Sequence, residues 1–164
     1  MITPLLAQVT HLRPPDVRFV GTPPTVVDAM LELARVAAND VVYDLGSGDG
    51  RIPIAAAQKF GARGVGIEID PFWITQSNDQ LRRSGVAGRV VFRNEDLFEA
   101  NIGDASVVTL FLLPRMMDRL LPKLRRELQP GTRIVSHQFT FGDAWAPEKS
   151  QDVDGLMIYL WTIR

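Results

Sequence analysis

Asp44, Gly46, Gly48, Asp49 and Gly50 follow directly on the run Val41-Val42-Tyr43. A strand that drives into a turn of alternating glycines lays its backbone open to a ligand, because glycine adopts φ > 0 and has no Cβ to block approach. The helix-like segment after it, Arg51 to Phe60, aims its first N–H groups at the same place. The dinucleotide fingerprint G-x-G-x-x-G is ordinarily free of acidic residues inside the turn. Here the order is D-x-G-x-G-x-G, with Asp44 before the turn and Asp49 within it. Two carboxylates repel a pyrophosphate, but they suit a ligand that carries an ammonium and a sulfonium. Asp49 has a second reading, as the cap of the helix that follows.

Glu68 ends the segment Gly66-Ile67-Glu68, about twenty residues after the turn, where a carboxylate accepts both hydroxyls of a ribose. Asp70, directly before Pro71, fits a helix-start role instead. Asp96 lies in Asn94-Glu95-Asp96-Leu97-Phe98, after the next strand, and reads as a turn former or a ligand contact. His137 stands at the carboxyl end of a strand, where sites gather; the other histidine, His11, is far from it in sequence. No His/Asp/Glu grouping has metal-ligand spacing, so no metal is expected. The absence of cysteine excludes disulfides, thiolate metal sites and cysteine nucleophiles.

The elements that position these residues alternate. Residues 1–22, with prolines at 4, 14 and 15, read as an irregular arm, and residues 23–164 as one domain. Thr22-Pro23-Pro24 opens a helix, with Thr22 or Thr25 as its cap and an apolar stripe from Val26 to Ala34. Strands are expected at Val41–Leu45, Gly64–Ile69, Arg89–Arg93, Ser106–Leu112 and Thr132–Gln138. Helices are expected at about Ile52–Phe60, Pro71–Ser84 and Pro114–Leu128. A pair of strands near Lys149–Val153 and Leu156–Ile163 closes the chain. Strand–helix alternation implies parallel pairing with right-handed crossovers, and the final pair implies an antiparallel edge. The fold class is therefore α/β, three-layered and Rossmann-like, on a mostly parallel seven-stranded sheet.

Composition narrows the partners. At 164 residues the chain holds one core, and its net charge of −1 gives no long-range field for nucleic acid or an anionic membrane. Fifteen of the 18 basic residues are arginine, scattered along the chain, so RNA is a poor fit. Met1 to Gln8 ends like the tail of a signal peptide but lacks a basic n-region, and no run reaches the ~20 apolar residues of a membrane span. The expected location is cytoplasmic, with a longer native N-terminus as the alternative.

The turn Asp44–Gly50 resembles motif I of the class I S-adenosylmethionine (SAM) methyltransferases. Phe19-Val20-Gly21-Thr22-Pro23, Leu110-Phe111-Leu112-Leu113-Pro114 and the Pro130–His137 segment extend the resemblance. From about Asp16 to the C-terminus the chain looks like the small protein-lysine methyltransferases of the ATP synthase c-subunit and the adenine nucleotide translocase, with their prokaryotic relatives. It departs from them at Gly21, where a proline or another residue is expected. The resemblance implies SAM as cofactor, S-adenosylhomocysteine (SAH) as product and a protein lysine as acceptor. It places Asp44, Gly46, Gly48 and Gly50 around the methionine half, under Phe19 and Thr22, with Ser47 and Leu112 as further cofactor-binding residues. Asp96 then accepts from the adenine amine, beside Leu97. Methyltransferases of planar nitrogens carry an Asn/Asp-Pro-Pro-Tyr/Phe turn after strand four; this chain has Leu-Leu-Pro. Phe111, Pro114 and His137 are the acceptor-pocket candidates, with no general base assigned. Asp118 and Asp143 read as surface, and Trp145 as a roof of the acceptor channel or a partly buried anchor. The alternatives are a small-molecule N- or O-methyltransferase, a non-catalytic SAM-binding module and, more remotely, an NAD-dependent oxidoreductase.

Overall fold

The computed structural model describes residues 12–164; Met1 to Gln8 and His11 lie outside the described residues. Seven strands form one sheet: β1 (Val41–Leu45), β2 (Arg63–Glu68), β3 (Val90–Asn94), β4 (Val107–Leu110), β5 (Arg133–His137), β6 (Lys149–Val153) and β7 (Leu156–Thr162). Their order is β3-β2-β1-β4-β5-β7-β6. The first five are parallel, and β7 runs antiparallel to both β5 and β6. The expected parallel sheet with an antiparallel C-terminal edge is what the chain forms. The chain steps outward from β1 through β2 to β3, then returns to lay β4 on the other side of β1. That reversal opens a crevice at the carboxyl ends of β1 and β4.

Three helices, α1 (Pro24–Leu33), α2 (Arg51–Phe60) and α3 (Pro71–Ser84), pack side by side against one face. α1 carries Val26, Val27, Met30 and Leu31 inward, the 3.6-residue stripe read from sequence. The opposite face is covered by α4 (Pro114–Glu127) together with irregular segments that bury Leu97, Ile102 and Phe141. α4 presents Met117, Leu120 and Leu124, each fully buried, to Ile134 and Trp161 of the sheet. Pro122, inside α4, lies on its exposed side, where the lost backbone hydrogen bond faces water.

Helix starts differ from expectation at one point. Neither Thr22 nor Thr25 caps α1; its N-cap is Pro23, and the side-chain hydroxyl of Thr22 points to β5 instead. Asp70 does cap α3, accepting from Phe72 N at 2.9 Å. β4 stops at Leu110, two residues short of the expected strand, so Phe111 and Leu112 leave the ladder and turn into the crevice.

Candidate active site

The crevice holds a cavity of about 440 Å³, inside the range typical of small-molecule sites. Its floor is the glycine turn. Gly46 N and Ser47 N both donate to Ile67 O at 2.9 Å, which ties the turn to β2. Gly46, Gly48 and Gly50 all take left-handed φ, of 87°, 52° and 85°. They do different work. Gly46 is exposed into the cavity. Gly48 is covered by the ring of Phe19, whose atoms would lie 2.0 Å from an added Cβ. Gly50 is the N-cap of α2 and lies against Phe92 and Ser77, where an added Cβ would collide at 2.5 and 2.8 Å. Gly48 therefore seats the Phe19 ring and Gly50 shapes the turn from behind, and neither is among the residues lining the cavity.

Three buried carboxylates face this space. Asp44, the penultimate residue of β1, lies beside the turn and accepts from Thr109 Oγ1 at 2.7 Å. Burial pushes its carboxyl up to about 7, and the charges of Glu68 and Asp49 push the same way; only the Thr109 hydrogen bond opposes them. Glu68 ends β2 and accepts from Gly48 N at 2.8 Å and from Asp70 N at 2.9 Å. These bonds fix its carboxylate at the cavity wall with acceptor capacity to spare.

Asp96 lies at the third corner. Its carboxylate is taken by the guanidinium fork of Arg13, through Nε and through Nη2 at 3.2 Å, and it accepts from Phe98 N at 3.0 Å. Desolvation raises its pKa, but the arginine and the backbone hydrogen bond outweigh it and hold the carboxyl below its usual range. Leu97 and Leu112 add apolar wall. Ser47, in the glycine turn, is buried and lines the cavity, its Oγ without a hydrogen-bond partner.

The roof comes from residues 13–22 of the arm, which has no regular secondary structure. Phe19 and Thr22 both line the cavity, and the Phe19 ring lies 4.3 Å from that of Trp73 on α3. Of the acceptor-side candidates, Phe111 lines the cavity, while Pro114 is exposed at the first turn of α4 and His137 is buried behind Phe111. The His137 and Phe111 rings are 4.0 Å apart. His137 Nδ1 lies 3.2 Å from Thr22 Oγ1, and its Nε2 is buried with no partner. Burial lowers its pKa, so the ring is neutral at pH 7. Trp145 does not line the cavity: it stacks on Phe141 at 5.7 Å, and its carbonyl accepts from Trp161 Nε1 at 3.0 Å. It is an anchor. Asp118 and Asp143 are exposed. Among the described residues no group of three or more His, Asp or Glu side chains could hold a metal ion.

The side chains facing the cavity from Asp44, Glu68 and Asp96 are acceptors. Such a set fits a ligand whose own polar groups are donors: an ammonium, a pair of ribose hydroxyls and an aromatic amine. The sequence model of the ANTKMT methyltransferase domain family matches residues 44–149. The chain belongs to this family. A protein-lysine N-methyltransferase of Saccharolobus islandicus (strain REY15A) is 45% identical over 91% of this chain and 95% of its own length. A Homo sapiens lysine N-methyltransferase of the ATP synthase c-subunit is 35% identical over 90% of this chain, which spans 59% of that longer protein. A crystal structure of an RNA methyltransferase from Salinibacter ruber with SAH superposes with a TM-score of 0.86. It is 55% identical, and the match covers 88% of this chain and 94% of that one. This methyltransferase uses SAM.

Arg13, Arg51, Trp73 and Met116 also line the cavity and were not singled out from the sequence. Arg51 adjoins the glycine turn, which was the only local signal for it. Arg13, Trp73 and Met116 sit in segments whose patterns read as arm or as ordinary helix, so nothing local marked them.

Proposed function

We propose that this methyltransferase modifies the side-chain amine of a lysine in a protein substrate. The observation that carries the reading is the wall after β4. Phe111-Leu112-Leu113-Pro114 brings no side-chain hydrogen-bonding group to the place where a planar amide or base nitrogen would need one. The names of the Saccharolobus and human relatives support the same acceptor. Val20, which lines the cavity, is 66% exposed, and Phe72 and Leu113, next in sequence to the lining residues Trp73 and Leu112, are 57% and 45% exposed. Exposed apolar side chains of this kind favour a macromolecular acceptor over an enclosed small one.

SAM, when bound, supplies a methyl group activated on a sulfonium. In this assignment Asp44 receives the ammonium of the methionine moiety, and Glu68 receives the ribose hydroxyls. Asp96 faces the adenine amine, with Leu97 along the ring. Gly46, Ser47 and Leu112 bound the methionine half, with Phe19 and Thr22 above it. The protein's contribution to the acceptor is exclusion of water. A lysine ammonium with a pKa near 10.4 costs about 4–5 kcal/mol to deprotonate at pH 7. A dry wall of Phe111 and leucines disfavours the charged form and lowers that cost. Alignment of the neutral amine then supplies most of the rate, and no strong base is required. His137, neutral and behind Phe111, holds the wall in place.

An RNA acceptor is the second reading, favoured by the description of the Salinibacter structure. Net charge of −1 and scattered arginines weigh against it. Radiolabelled SAM added with this protein to whole lysate, membranes included, from a strain lacking its gene decides between them. A discrete band removed by protease, with the label mapped to lysine, is the expected result. Label removed by ribonuclease, or confined to small molecules, would overturn it.

A further inference from the structure

Arg51 is the first residue of α2, yet its guanidinium lies across the turn against the arm. Nε and Nη2 fork the carboxylate of Asp49 at 3.0 and 2.7 Å. Nη1 donates to Thr22 O at 2.9 Å, and the group lies 5.9 Å from the centre of the Phe19 ring. Gly21 makes this possible. An added Cβ there would lie 2.6 Å from the guanidinium carbon, and Gly21 is not among the glycines with left-handed φ, so its backbone would accept alanine. Thr22 is thus held twice: by its carbonyl to the cofactor turn, and by its hydroxyl to His137 on β5.

We propose that Arg51 is a positioning residue that pins the arm over the cofactor cavity, and that glycine at position 21 is present to seat it. Asp49 then serves neither as a ligand contact nor chiefly as a cap: it orients Arg51. A planar fork that also reaches a carbonyl is a task for arginine, and lysine supplies only a point charge. The inference rests on the cavity being the SAM site.

The test measures SAH affinity and trypsin cleavage after Arg18, in the arm, on the full chain. Arg51→Ala is expected to weaken SAH binding by roughly ten- to a hundred-fold, the scale of a lost charge-assisted hydrogen bond. It should also speed cleavage at Arg18 and abolish the protection SAH gives there, with the melting temperature little changed. Arg51→Lys should stay defective. Gly21→Ala should reproduce Arg51→Ala by displacing the guanidinium, and the double variant should be no worse than Arg51→Ala alone. Wild-type affinity and protection in Arg51→Ala overturn the proposal, as do additive losses in the double variant. Wild-type protein that fails to bind SAH, or Asp44→Ala that binds it normally, would instead remove the cavity assignment beneath it.

Discussion

Asp44 is the residue whose chemistry depends most on its surroundings. A carboxyl held near 7 is part protonated at neutral pH, and only its ionised form attracts the ammonium of the cofactor. SAM and SAH affinity is therefore expected to rise from pH 6 to pH 8, and calorimetric titration across that range would reveal it. Asp44→Asn should flatten the dependence; a wild-type affinity that is already flat would contradict it. The same shift has a sign for stability. Because the native pKa lies above the ordinary value of 3.8, the folded protein binds more protons than the unfolded chain between about 4 and 7. The contribution of Asp44 is thus fully present below that window and is lost as pH rises through it. Glu68 works through hydrogen bonds, so Glu68→Ala should cost roughly 1.5–3 kcal/mol of SAM binding.

At the scale of elements, the glycine turn and the arm form one device. Gly48 has φ of 52° and no room for a Cβ beneath Phe19, whose ring also rests on Trp73. Gly48→Ala must either tilt the Phe19 ring away or strain the turn, and both act on the cavity. The expected outcome is at least a tenfold loss of SAH affinity, on the scale of a 1–3 kcal/mol overpacking strain, with Trp fluorescence altered in the free protein. Unchanged binding would mean that the arm does not roof the cofactor. α3 joins this device through Trp73, near its first turn, and through Ser77 against Gly50, while the backbone N–H of its cap Asp70 donates to the Glu68 carboxylate. The start of one helix therefore braces a carboxylate of the site.

Across the whole molecule, the antiparallel edge stabilises the sheet from the side away from the turn. Trp161 on β7 is fully buried between Phe141 and Trp145, with its indole N–H satisfied by a backbone carbonyl. Trp161→Ala is expected to destabilise the fold by about 3–5 kcal/mol. Chemical denaturation would measure that loss. SAH should still raise the melting temperature of the variant, because no residue of β6 or β7 lines the cavity. If the variant folded but failed to bind SAH, edge and site would be coupled more tightly than the architecture indicates.

The alternation of strands and helices, the glycine turn and the carboxylate at the end of β2 were legible because each rests on short-range signals: β-branched runs, alternating glycines, and a carboxylate one strand–helix–strand unit later. Legibility failed wherever a side chain's role depends on a partner far along the chain. Thr22 read as a helix cap, but β5 brings His137 to it from 115 residues away. Nothing near Asp96 in sequence announced Arg13, which reaches its carboxylate from 83 residues away in the arm. Gly21 read as a departure from the family, and the structure makes it the seat of Arg51. The sequence by itself determined the sheet, the turn and which residue types could meet a donor-rich cofactor, because hydrophobic period and glycine conformations are local. Only the tertiary structure decided which carboxylate is buried enough to titrate near neutrality and which arginine ties the arm to the turn. Burial and electrostatic coupling arise from residues that only folding brings together.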